Sequence, residues 1–435
     1  FSYAEEYKKF INAAKTEREA CAYVAAEAEK HGFKPFKFGE KLKKGDKVYY
    51  NNRGKNIYLI RVGSDDVKTS GIRIVASHID SPRLDFKQVP LYESDGVALG
   101  KTHYYGGIKK YQWTTIPLAL HGAVVLGDGS KVEVKIGEDE GDPVFYISDL
   151  LPHLSQKQNT KTLAEAFSGE DLNIWLGNIP YTAAKEDGDK TVKENLLHIL
   201  NEKYGIKEED FLSAELSLVP AFKARDIGFD RALIGAYGHD DRVCSYPAFS
   251  ALFDTETDGK TVMVVLADKE EIGSEGTTGM QCAIFTDLID AIAYSFDTTS
   301  AVIRANSKCL SADVNAAYDP NFKDVNEPMN STYVSCGAGL TKFTGARGKS
   351  GSNDASAEFM AEVRKMFNDE GVIWQTGELG KVDQGGGGTV AKYIAKMNID
   401  TVDIGVAVVS MHAPYEVISK ADVYEMYLAC KAFMK

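Results

Sequence analysis

Five places in the chain set histidine, aspartate or glutamate at or just past a short apolar run, or at the head of a helical pattern. His78 and Asp80 follow GIRIVAS, Glu270 and Glu271 follow TVMVVLAD, Asp313 follows CLSA, His412 follows TVDIGVAVVS, and Asp240-Asp241 sits in GHDDRVC ahead of a helical stretch. In open α/β sheets the carboxyl ends of the strands converge on one crevice, where ligands bind. Two imidazoles and several carboxylates form a hard-to-borderline donor set that suits zinc, and also cobalt or manganese. Carboxylates gathered in one crevice repel one another unless cations are present. Two divalent ions about 3.5–4 Å apart resolve that repulsion and polarise a shared water, which is hydrolytic chemistry. Glu270 and Glu271 are neighbours whose side chains point in different directions, so one can bind metal while the other faces the water.

Each of these residues has a plainer reading alone. A histidine after a strand is usually an ordinary loop residue, and an acidic pair commonly marks a helix N-terminus, where anions are favoured. Asp313 is harder to dismiss, because a carboxylate inside an apolar strand needs a partner. The joint pattern is more specific than any member of it.

The elements that must position these residues can be read from the periodicity. Residues 72–76, 262–267, 309–314 and 402–409 are β-branched apolar runs of strand type, and residues 245–253, 287–295, 355–368 and 421–434 carry helical patterns. Strands alternating with helices indicate the α/β class, with a sheet flanked by helices on both faces. The middle of the chain differs. Residues 122–137 alternate apolar and polar positions around Asp-Gly, a hairpin signal. Helical stretches near 162–167 and 192–204 and a strand over 211–218 complete a mixed or antiparallel, β-rich region. The expected division is residues 1–91 plus 227–435 as a catalytic domain, with 92–226 inserted as a second domain.

The bulk composition narrows the partners. The 435 residues carry a formal net charge of -13, which repels phosphate backbones and argues against nucleic acid. Six cysteines are scattered with no CxxC pair, the pattern of buried thiols in a reducing compartment, so a cytoplasmic location is expected. The N-terminal stretch reads as an amphipathic helix without an apolar signal core, and no run of 18 apolar residues suggests a membrane span.

Around the candidate ligands the chain resembles the M18 family of metallopeptidases, the aspartyl aminopeptidases and their relatives. The matching segments are ASHIDSPRLD around His78, GHDDRVC around Asp240, ADKEEIGSEG around Glu270 and Glu271, SADVNAAYDPN around Asp313 and SMHAPYE around His412, in an order that covers nearly the whole chain. The resemblance implies a dinuclear zinc aminopeptidase-like fold, built on a mixed sheet, and peptide substrates with a free N-terminus. It implies that His78 and Asp313 bind one metal, that Asp240 bridges both, and that Glu271 and His412 complete the second site. Glu270 matches the general base and Asp80 the carboxylate behind His78. It further implies a homo-oligomer, a dodecamer built from dimers, in which the inserted domain dimerises and His153 of LPHLS reaches a neighbouring subunit's active site. By itself His153 reads as a surface residue.

Lys342, in GLTKFTG, aligns with a lysine that recognises an acidic substrate side chain, and reads equally well as a solvated strand lysine. The chain departs from aspartyl-specific members at Asp240-Asp241-Arg242, where they carry an LDN-like triplet, and at the glycine-rich VDQGGGGT. The preference for acidic or neutral N-terminal residues therefore stays open. A two-metal amidase or deacylase and a non-enzymatic assembly protein are the competing readings.

Overall fold

The strand signals come from β-branched runs that bury both faces, and these runs build one large sheet. The computed structural model describes residues 1–181, 191–256 and 259–435. The chain separates into two units, one of Phe1–Ser81, Ala224–Met411 and Glu416–Lys435, the other of Pro82–Lys223 and His412–Tyr415.

The first unit contains a nine-stranded mixed sheet. Its four central strands, in spatial order Thr261–Ala267, Ile72–His78, Lys308–Ala312 and Asp400–Gly405, are mutually parallel. Antiparallel neighbours flank them, Asn56–Arg61 on one side and Ala338–Thr341 on the other. Every residue of Thr261–Ala267 is buried, as expected of a parallel strand covered on both faces. The period of two divides its side chains between two cores. Val262, Val264 and Leu266 face one core, with helices Ser2–Ala13, Glu17–Lys30, His239–Asp254, Ala357–Asp369 and Lys420–Met434. Met263, Val265 and Ala267 face the other, with Ile284–Ser295, Ser300–Asn306 and Ala391–Ala395. Each of the valine, leucine and methionine side chains contributes about 1.5–3 kcal/mol of burial.

Two of the expected strands end early. The run 309–314 ends as a strand at Ala312, ahead of a further strand Asn315–Ala316, and the run 402–409 divides into Asp400–Gly405 and Ala407–Val409. Asn315–Ala316 and Ala407–Val409 belong to a separate five-stranded sheet with Glu416–Ser419, Leu233–Ala236 and Arg225–Ile227. The two breaks lie beside each other at Gly405, where the two segments approach so closely that a Cβ would lie 1.7 Å from the carbonyl oxygen of Asp313. Apolar patterning does not register such a corner.

The second unit is a six-stranded, wholly antiparallel sheet. Its hairpin Leu118–Val125 and Lys131–Ile136 turns at Asp128-Gly129, with Gly129 at φ +85. The helix Val192–Tyr204 opens on a capping box formed by Thr191 and Glu194. The strand expected from residue 211 starts later, at Ala214, after a 3-10 turn Glu208–Ser213. That turn is held by Asp210, whose carboxylate accepts the Lys207 amide at 2.8 Å. The strand Arg83–Ser94 begins just after the unit boundary, so the division placed after residue 91 from sequence falls inside a strand.

Candidate metal centre

Strand register brings the candidate side chains to one level. Ala267 pairs with His78, so Glu270 and Glu271 emerge just beyond it. Ser311 pairs with Ala76, and the same register extended puts Asp313 beside His78. The amide of Asp313 donates to Ile404 O at 2.9 Å, which holds it at the corner described above.

The imidazole of His78 is 1% exposed and its two nitrogens face different partners. Nδ1 lies 3.1 Å from the main-chain oxygen of Asp80 and 3.3 Å from its Oδ1. Nε2 lies 3.2 Å from Asp240 Oδ1, 3.8 Å from Asp313 Oδ1 and 3.9 Å from Glu270 Oε2. An orienting carboxylate on one nitrogen and a crowd of carboxylates on the other is the arrangement of a liganding histidine. Asp80 also accepts the amides of Glu270 at 3.1 Å and Glu271 at 3.2 Å, so one carboxylate orients the ring and anchors the glutamate turn. That turn, Glu270–Ile272, follows Lys269 at φ +65, a left-handed conformation that costs a non-glycine residue about 1–2 kcal/mol.

Asp240 and Asp241 are buried at the head of helix His239–Asp254, in a stretch whose backbone is not yet helical. Asp241 Oδ2 accepts the His78 amide at 3.3 Å, and Ser245 Oγ donates to His78 O at 2.7 Å. Two sets of ligand atoms, His78 with Asp241 and Asp313, and His78 with Asp240 and Glu271, each lie within 4.8 Å of one another.

The electrostatics state the same demand. Burial pushes the Asp313 carboxyl well above its usual range, and the neighbouring Asp241 adds to the shift. Burial likewise raises Asp241, against the counteracting charge of His78. Burial alone depresses His78, but hydrogen bonds to Asp240 and Asp80 outweigh it and hold its pKa well above normal. Buried carboxylates this close call for positive charge, and Oδ1 of Asp241 has no hydrogen-bond partner among the described residues. A divalent cation fits that donor set, and zinc is compatible with its imidazole and carboxylate composition.

Three candidates remain. His412 groups with the second unit, at φ +67, and its Nδ1 donates to Gly107 O at 2.8 Å, which leaves the lone pair on Nε2. His153 is exposed in the 3-10 turn Pro152–Leu154 of that unit. Lys342, in the first unit, is paired with Asp354, which also holds Lys349 at 3.1 Å.

The family resemblance implies Asp240 as the ligand of its pair and leaves Asp241 unassigned. Two adjacent aspartates carry no periodic signal to rank them, and only the fold shows both carboxylates buried beside His78. Ser81 and Glu416 were also unassigned. Both lie inside the motif segments around His78 and His412, so position in those segments was the available signal.

Comparison with known proteins gives concordant matches. The family model described as Aminopeptidase I zinc metalloprotease (M18) matches residues 10–434. The chain is 49% identical over 442 residues to "Probable M18 family aminopeptidase 1" of Clostridium acetobutylicum, an alignment that covers 100% of this chain and 94% of that one. The crystal structure of the M18-family aminopeptidase from Thermotoga maritima superposes with a TM-score of 0.95 at 46% identity, covering 100% of this chain and 96% of that one. The mApe1 dodecamer of S. cerevisiae, at 21% identity and a TM-score of 0.79 over 99% of this chain and 95% of that one, shares the fold.

Proposed function

Because this chain belongs to the M18 family of zinc metalloproteases and is a metal-dependent aminopeptidase, we propose that it removes N-terminal residues from peptides with two divalent ions, preferably zinc. His78, Asp240, Glu271, Asp313 and His412 would hold them, with Asp241 as an added carboxylate. The observation that carries this reading is the ring of Asp240, Asp313 and Glu270 around Nε2 of the buried His78, each within 4 Å.

The ions supply a lowered water pKa and a Lewis acid for the scissile carbonyl. The protein's own residues do the rest. Glu270 takes the proton of the attacking water and returns it to the departing amine. Asp80 keeps His78 in the tautomer that presents Nε2 and fixes the backbone from which Glu270 projects. The acidic crevice receives the free α-amine. His153, from a neighbouring subunit, donates to the oxyanion that develops on the carbonyl.

The Lys342–Asp354 pair favours neutral N-terminal residues over acidic ones. The charge of Lys342 is already met by Asp354, which also engages Lys349. An acidic substrate side chain would have to share that ammonium with Asp354.

A homo-oligomer assembled from dimers is part of this reading. Support comes from large apolar side chains exposed on the second unit, Leu150, Leu151, Leu154 and Trp175 among them, and from the relative described as a dodecamer. Among the described residues no helix is long and apolar enough to cross a membrane. The six cysteines are free thiols, and a reducing, cytoplasmic setting is part of this reading. The experiment is a panel of Asp, Glu, Leu, Ala and Lys aminoacyl reporters, free and N-blocked, on metal-stripped protein with zinc, cobalt or manganese restored. We expect zinc-dependent release from free Leu and Ala reporters and none from blocked ones. Cleavage of blocked reporters would instead establish the amidase reading.

A further inference from the structure

The residues that carry Asp240 and Asp241 lie on irregular backbone. Gly238 is at φ 76, and Asp240 and Asp241, with ψ of 108 and 26, fall outside helical geometry. Such a segment lacks the repeating bonds of a helix, so its orientation depends on what else grips it. Three grips are present. Ser81 Oγ donates to Asp240 O at 2.5 Å, the Asp240 amide donates to Glu416 Oε2 at 3.1 Å, and the ring of His239 is held at both nitrogens. His239 Nε2 lies 3.1 Å from Ile234 O, and Nδ1 lies 2.7 Å from the Tyr7 hydroxyl. A carbonyl only accepts, so Nε2 carries the hydrogen, Nδ1 is the acceptor and Tyr7 donates. Tyr7 and His239 are both 0% exposed. A further strut runs from Arg242 Nη2 to Lys15 O at 2.9 Å, in the link that follows the first helix.

We infer that the first helix, Ser2–Ala13, is part of the metal centre, with Tyr7 a positioning residue that acts through His239, and Ser81 and Glu416 as companion anchors, to fix the main chain presenting Asp240 and Asp241. The inference rests on the metal reading above. Its physical basis is tolerance: metal–ligand distances hold to within about 0.2 Å, and a histidine free to swing would shift the adjoining aspartate by more than that. Tyr3 provides an internal control. It sits on the same helix and makes one hydroxyl contact of the same kind, at 2.7 Å to Ser250 Oγ, farther along the same partner helix.

The test compares Tyr7→Phe, Ser81→Ala and Tyr3→Phe in the full-length, zinc-loaded protein. Zinc release is followed with a colorimetric indicator as a chelator is titrated, and the melting temperature is recorded at saturating zinc. Tyr7→Phe and Ser81→Ala are expected to surrender zinc at about tenfold lower chelator, the lower end of the range for residues behind a ligand. Tyr3→Phe is expected to match the parent. Equal release from Tyr7→Phe and Tyr3→Phe, whether both unshifted or both shifted in step with melting temperature, would overturn the inference while leaving the metal reading intact. Should Tyr7→Phe fail to fold, Ser81→Ala decides, and parent-like release from it overturns the inference. Failure of the parent itself to take up zinc would overturn the metal reading and this inference with it.

Discussion

At the scale of single residues, the site depends on which carboxylate faces which nitrogen of His78. Glu270 is 3.9 Å from Nε2 and is the carboxylate assigned to proton transfer. Glu270→Gln keeps the shape and removes the base. Turnover is expected to fall by about 10²–10⁴, with zinc content by elemental analysis unchanged. Asp241→Asn tests the added carboxylate, since it removes a buried negative charge next to His78. Zinc affinity, measured by chelator competition, is expected to fall by about 10–100-fold. Unchanged affinity would place Asp241 outside the ligand set. The chemistry at this scale was largely legible in the sequence, because histidine and acid types at strand ends restrict it strongly. Asp241, Ser81 and Glu416, which we propose as parts of the site, were not legible as such. Their involvement depends on burial and on hydrogen bonds between segments 159 to 176 residues apart.

At the scale of elements, strand register does the positioning. The parallel pairings that place Ala267 beside His78 and Ser311 beside Ala76 bring Glu271 and Asp313 to the same end of the sheet. The existence of these strands and of the helices between them could be read from apolar runs. Their ends could not, because a strand stops where the backbone of a neighbour intrudes. Gly405 is the clearest case, and it gives a sharp test. A methyl at this position meets Asp313 O, Asp313 C and Val314 Cα at 1.7, 2.6 and 3.0 Å, all of them backbone atoms that cannot step aside. Gly405→Ala is expected to cost at least about 2 kcal/mol by denaturant melts and to weaken zinc binding as well, because the corner it deforms carries Asp313. Val264→Ala, deep in the sheet and remote from the corner, is expected to cost about 1–3 kcal/mol with zinc affinity unchanged. If both variants lose zinc in proportion to stability, the corner has no special role.

At the scale of the whole molecule, buried and bridged carboxyls set the pH dependence of stability. Asp403 lies in the large sheet, and burial raises its pKa to about 6 although Thr389 donates to it. The folded value is above the unfolded one, near 4. Its contribution is therefore present below about pH 4 and is lost as pH rises through 6. Asp403→Asn is expected to stabilise the protein at pH 8 by roughly 2 kcal/mol, a gain that fades as pH falls through 6 and is gone below about pH 4. Asp226 works in the opposite sense. Hydrogen bonds from Lys8, on the first helix, and from Lys420, at the head of the last, hold its carboxyl well below the usual range. Its contribution is present above about pH 4 and is lost on acidification, so Asp226→Asn is expected to reduce the acid-limb slope of a melting-temperature profile. Bound metal adds to both by mass action, about 2.7 kcal/mol at a hundredfold excess over its dissociation constant.

The claim on which all of this depends is that His78, Asp240, Glu271 and Asp313 surround two cations. Crystals grown with zinc, with diffraction recorded on either side of the zinc absorption edge, test it directly. The expected result is two anomalous peaks about 3.5–4 Å apart, with His78 and Asp313 at one, Glu271 and His412 at the other, and Asp240 between them. A zinc-saturated, active crystal without anomalous density at His78 Nε2 would contradict it.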